Sequence, residues 1–115
     1  MGSVTDNPSA TPVCMSFSGS WGGSLTLVEQ GEHQNVSAVV KQNGGSIEID
    51  TSSTLEYGKK LVGNVFSDCN MLIYDQTTGE DFSTHYAPAT AHLIDLYDYT
   101  NPPYYSHLDH LALSR

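Results

Sequence analysis

From Ser18 onward apolar residues recur at every second position, in short runs separated by clusters of Gly, Asn and Asp. A period of two, rather than 3.6, predicts strands. In Ser20 to Glu29, Trp21, Gly23, Leu25 and Leu27 fall on one face and Ser24 and Thr26 on the other. Asn35 to Lys41 repeats the pattern with Val36, Ala38 and Val40, and Ser46 to Thr51 repeats it with Ile47 and Ile49. Between these two runs, Gln42-Asn43-Gly44-Gly45 reads as a hairpin turn, because Asn and Gly tolerate positive φ. Thr54 to Tyr57 reads as a short fourth strand. Leu61 to Phe66 and Met71 to Asp75 follow, apolar on both faces, and then come Asp81 to Tyr86 and Ala89 to Tyr99. In the last run His92, Ile94 and Leu96 oppose Ala91, Leu93, Asp95, Tyr97 and Tyr99. Its register is open, so either His92 or Asp95 can face inward.

No loop between these runs is long enough for a crossover helix, which predicts antiparallel neighbours and up-and-down connectivity. The expected fold is all-β: a single antiparallel barrel of about eight strands, with a two-sheet β-sandwich as the competing architecture. At 115 residues there is room for one domain. Residues 1–12, rich in Ser, Thr, Asn and Pro, read as a flexible amino-terminal arm, residues 13–100 as the barrel, and residues 101–115 as a Pro/Tyr-rich linker and tail. Within that tail Leu108, Leu111 and Leu113 suit a short helical turn lying against the barrel wall.

Thirteen acidic residues against four basic ones give a formal charge of -9, which speaks against nucleic acid and anionic membranes as partners. The polar start lacks a signal-peptide core and no apolar run approaches membrane-helix length, so the expectation is a soluble chain, either cytoplasmic or exported with its signal removed. Cys14 and Cys69 are the two cysteines; they permit one disulfide, or two free thiols, and have no histidine at zinc-ligand spacing.

Gly19-Ser20-Trp21, opening the first strand, resembles the Gly-x-Trp start of calycins, the lipocalin and avidin-type barrels. The resemblance implies a binding barrel in which Trp21 lies at or near the pocket floor. The pattern departs from the family in other respects. Arg115 is the sole arginine and is not read as the lipocalin-type structural arginine, and no avidin-like set of polar ligand contacts can be assigned. The stretch Gly79-Glu80-Asp81-Phe82-Ser83-Thr84-His85-Tyr86 is similar to small bacterial proteins of this general build.

Candidate chemistry is sparse. Glu80, Asp81 and His85 bring carboxylates and an imidazole into one hairpin, but Asp81 and His85 would stand about 13 Å apart along a strand, too far for a direct acid–base pair. His107 and His110 offer two metal ligands on a helical turn and no third. Asn101-Pro102-Pro103-Tyr104-Tyr105 contains a Pro-Pro-x-Tyr match of the kind WW domains grip, and reads more simply as an extended link. There is no nucleophile elbow, P-loop or dinucleotide fingerprint. The expected function is a non-enzymatic barrel that binds a small apolar or aromatic, neutral or cationic ligand, lined by Trp21, Tyr57, Tyr74, Tyr86 and His92, with no metal or cofactor. The alternative is an interaction module: a filled barrel that forms a homo-oligomer through its outer face and tail.

Overall fold

Alternation turns into strands wherever a polar partner position can face water, and the computed structural model, which describes residues 14–28, 31–55, 58–84, 86–98 and 109–115, contains eight of them. They are β1 (Gly19–Leu27), β2 (Glu32–Asn43), β3 (Ser46–Thr51), β4 (Lys60–Val65), β5 (Met71–Asp75), β6 (Asp81–Ser83), β7 (Leu93–Asp98) and β8 (His110–Ser114). Each pairs antiparallel with the next in sequence, and β8 pairs back onto β1 from Gly22↔Ser114 to Thr26↔His110, closing the barrel without an edge. The hairpin read at Gln42 to Gly45 is the β2–β3 turn: Asn43 pairs with Ser46 and Gly44 takes φ 60°.

Two expectations change. Thr54 and Leu55 lie in the β3–β4 connection and form no strand, while Glu56 and Tyr57 fall outside the described residues. The eighth strand is His110–Ser114, inside the segment expected to be a helical tail on the outer wall. Asp109, Leu111 and Leu113 are buried while His110 and Ala112 are less so, the alternation of a strand and not the i, i+3 spacing of a helix. The barrel therefore extends past residue 100, and Leu111 and Leu113 are core residues.

The inward positions carry Trp21, Leu25, Leu27, Val36, Ala38, Val40, Ile47, Ile49, Leu61, Val65, Met71, Ile73, Phe82, Ile94, Leu96, Leu111 and Leu113, all buried, with Phe17 and Ala89 packed at one end. Two inward glycines mark close approaches. A Cβ on Gly23 would overlap the carbonyl of Ala112, and one on Gly63 would overlap the Leu72 carbonyl and Ile73, so β1–β8 and β4–β5 can pair as they do only with glycine there. Cys14 and Cys69 are joined, with Cα atoms 5.4 Å apart, fastening the segment before β1 to the β4–β5 loop. Among the described residues no helix is long and apolar enough to cross a membrane.

Candidate functional site

Of the residues expected to line a pocket, the four that the structure describes, Trp21, Tyr74, Tyr86 and His92, do not converge. Trp21 is interior, 3% exposed, at the end of the barrel that Phe17 closes; its indole Nε1 donates to the Phe17 carbonyl at 2.8 Å and the two rings lie 6.4 Å apart. Arg115, directly after β8, lies over the indole with its guanidinium 4.3 Å from the ring centroid. The same guanidinium donates to the carbonyls of Ala91 at 2.9 Å and Ser18 at 3.0 Å. So the sole arginine does stand at the last strand and clasps the tryptophan, contrary to its reading in the sequence. Tyr74 points outward, 45% exposed, because Met71, Ile73 and Asp75 take the inward positions of β5. Tyr86 is also outside, 61% exposed, and packs edge-on against Tyr97 at 4.7 Å. His92 shares the parity of Ile94 and Leu96 but precedes β7, and is exposed, with Nδ1 3.2 Å from the Arg115 carbonyl. Tyr57 lies outside the described residues, as do His85, His107, Leu108 and Asn101 to Tyr105.

Polar groups gather at the opposite end. The inward parity of β5 through β8 ends, on each strand, in an acid. On β5 it is Asp75, two positions beyond Ile73; next to β6 it is Glu80, two before Phe82; on β7 it is Asp98, two beyond Leu96; and next to β8 it is Asp109, two before Leu111. Asp75, fully buried, is satisfied locally: it accepts from the backbone N–H of Gly58 at 2.6 Å, of Thr77 at 2.9 Å and of Thr78 at 3.4 Å. It thereby pins the β3–β4 and β5–β6 connections to the rim.

The other three are brought together. Carboxylate oxygens of Glu80, Asp98 and Asp109 lie within 4.8 Å of one another. Main-chain bonds fix their positions: Asp75 N–H donates to the Glu80 carbonyl at 2.8 Å, and Asp98 N–H donates to the Asp109 carbonyl at 2.9 Å. Asp109 Oδ1 also accepts from Val28 N–H at 2.9 Å, which ties the cluster to the end of β1. Glu80 Oε1 is closed off from solvent and has no hydrogen-bond partner among the described residues. Burial, followed by the adjacent Asp98 and Asp109 carboxyls, pushes the Glu80 carboxyl up to about 10. Three ionised acids this close, with no donor among them, repel one another; a proton on Glu80 supplies a donor and removes one charge. The arrangement therefore demands one positive charge, and at neutral pH it holds a proton.

The sequence reading groups Glu80 with Asp81 and His85 in one hairpin. Asp81 does face outward. Asp98 lies inside the run Ala89 to Tyr99 but is assigned to neither of its faces in the sequence reading, and Asp109 falls in the segment read as a helical turn. Their signal was present in plain parity: each continues the apolar i, i+2 series of its strand by one step.

A second polar group lies on the outer wall. Tyr97 of β7 and His110 of β8, directly paired, stack with centroids 4.0 Å apart and planes 6° off parallel, and His110 Nε2 is 3.0 Å from Asp95 Oδ1. Burial, then the charge of Asp95 and the neighbouring Tyr86, raises the Tyr97 phenol above its ordinary range. His110 engages both Asp95 and Tyr97 across the β7–β8 pair, which makes the group a cross-strand brace.

Compared with protein-family models, curated proteins and solved structures, the chain matches none.

Proposed function

We propose that this protein is a non-enzymatic barrel that binds a small cationic ligand at its acidic end, through Glu80, Asp98 and Asp109. The observation that carries the proposal is the convergence of these three carboxyls around a buried Glu80 oxygen with no partner among the described residues. A bound cation would replace the proton: it supplies the positive charge that the three acids lack and satisfies Glu80 Oε1. Carboxylate-only donors suit hard cations, either a divalent metal such as calcium or magnesium, or an ammonium group. The long-range field of a chain carrying -9 favours the same class of ligand. The Trp21 end, closed by Phe17 and Arg115, supports the calycin-type resemblance and leaves the opposite end as the route to a site.

Isothermal titration calorimetry at neutral pH, with calcium, magnesium and methylammonium in separate runs, tests this. One of the three should bind one to one, with heats that change with the buffer's ionisation enthalpy because Glu80 gives up its proton. Glu80→Gln and Asp98→Asn should each weaken binding by at least about tenfold. Absence of heat with every cation, or binding unchanged in both variants, contradicts the proposal.

A second reading, assembly through the outer face, draws on one observation: Leu72 is 54% exposed beside Tyr74, which pairs directly with the half-buried Val62 of β4. A Leu72→Ser, Tyr74→Ser variant that scatters as a smaller particle than the wild type would favour it; a wild type that is monomeric at high concentration would remove it.

A further inference from the structure

We infer that Asn35 is an acceptor for an N-linked glycan, on a chain that matures in an oxidising secretory compartment. Asn35-Val36-Ser37 has the Asn-x-Ser form that oligosaccharide transfer requires, with a residue other than proline in the middle.

Such a triplet arises easily by chance, so its setting decides. Val36 points into the barrel, so Asn35 and Ser37, two apart on β2, both point out, and both are exposed. Among the described residues neither the Asn35 amide nor the Ser37 hydroxyl has a hydrogen-bond partner; the bonds nearby use the Ser37 main chain, whose N–H donates to Ser52 Oγ at 2.9 Å and whose carbonyl accepts from Ser52 N–H at 2.9 Å. The ladder between β2 and β3 begins only at Ala38↔Thr51, so at Asn35 the chain is paired on the β1 side alone, opposite Ser24. A glycan there would project outward from the end of the β1–β2 ribbon, beyond the β2–β3 ladder, where residues 52–54 flank β2 through Ser37 and the Gln34 side chain and leave the Asn35 amide unengaged. No core residue would have to move to accommodate it.

An independent feature points to the same compartment. The chain has two cysteines and both are consumed in the Cys14–Cys69 bond, leaving no free thiol. Disulfides of this structural kind persist where the glutathione and thioredoxin systems do not reduce them, which is where N-linked transfer also occurs. The transfer itself is a substitution: Asn35 Nδ2 bonds to the anomeric carbon of a lipid-pyrophosphate-linked oligosaccharide, the bond from that carbon to the pyrophosphate oxygen breaks, the lipid pyrophosphate leaves, and the amide proton passes to the transferase. No oxidant or reductant is involved.

The test is expression of the full chain behind a cleavable secretory leader in yeast or mammalian cells. Intact-mass measurement of the secreted protein, before and after peptide N-glycosidase, should give one glycan that the enzyme removes, leaving Asp at position 35. Asn35→Gln and Ser37→Ala should each abolish the glycan while being secreted with the Cys14–Cys69 bond formed, and Ser37→Thr should keep it. Secreted, disulfide-bonded wild type with an unmodified Asn35, or a glycan that survives Asn35→Gln, overturns the inference.

Discussion

At the scale of single residues, the Trp21–Arg115 clasp and the two inward glycines set how tightly the barrel closes. The guanidinium lies over the indole and reaches the Ala91 and Ser18 carbonyls, so it joins the end of β8 to the segment before β1 and to the β6–β7 connection. Cation–π contact and hydrogen bonds to an ionised donor together contribute about 1–3 kcal/mol. Arg115→Ala should lower the free energy of unfolding in urea by that amount, and Arg115→Lys should recover less than half, because an ammonium cannot serve several carbonyls in a plane. Equal stability of wild type and Arg115→Ala would mean that the clasp is incidental. At Gly23 the obstacle is backbone, the Ala112 carbonyl, which cannot swing aside. Gly23→Ala should cost at least about 3 kcal/mol, or prevent β1 and β8 from pairing at all; circular dichroism and urea titration read both outcomes.

At the scale of elements, the Cys14–Cys69 bond spans 55 residues and holds the Cys14–Ser18 segment, with Phe17, against the closed end. Loop-closure entropy for a crossing of that length predicts a loss of about 4 kcal/mol in the Cys14→Ser, Cys69→Ser double variant. A loss below about 1 kcal/mol would show that Gln42, which accepts from Phe17 N–H at 2.7 Å and donates to the Met15 carbonyl at 3.0 Å, holds the segment by itself. Most of the strands were legible because their alternation is clean: β2 and β3 alternate buried and less buried residues with scarcely a break. Where both parities are apolar, as in Met71 to Asp75, pattern alone cannot choose a face, and the pocket expected from the sequence turns Tyr74 inward. The choice was made by the acid at its end: Asp75 needs the N–H groups of Gly58 and Thr77, which lie across the rim, so Ile73 and Met71 go inward with it. Strand β8 was lost for a related reason. Five residues with two leucines fit a helical turn or a strand equally well, and only pairing to both β1 and β7 decides between them. The candidate site depends on that decision, since Asp109 joins Asp98 and Glu80 only when β8 sits in the barrel wall.

At the scale of the whole molecule, the two ends differ in kind. One is capped by aromatic rings, an arginine and a disulfide; the other is rimmed by four acids, one of them consumed by backbone donors and three left facing one another. The pH dependence follows. In the folded protein the Glu80 carboxyl is pushed up to about 10 from an ordinary value of 4.5, so between those values the native state holds a proton that the unfolded chain has released. Stability should therefore fall as pH rises through that window, and the penalty should be absent below it, the reverse of a salt-bridged acid. Glu80→Gln, which keeps the shape and removes the titration, should flatten this part of the profile, and a bound cation should offset the loss in the wild type at its upper end. Thermal melts of the two proteins across the window, with and without the cation, check both expectations; parallel profiles would contradict the assignment of Glu80.

In the proposed site Glu80, Asp98 and Asp109 share one positive charge, a proton by default and a cation when ligand is present. Carbon-detected NMR titration of the Glu80 side-chain carboxyl, in the presence and absence of the cation selected by calorimetry, measures it directly. The Glu80 carboxyl should remain protonated through neutral pH in the free protein and become ionised at the same pH when the cation is added. A Glu80 that titrates near 4.5, or one whose protonation no cation alters, would contradict it.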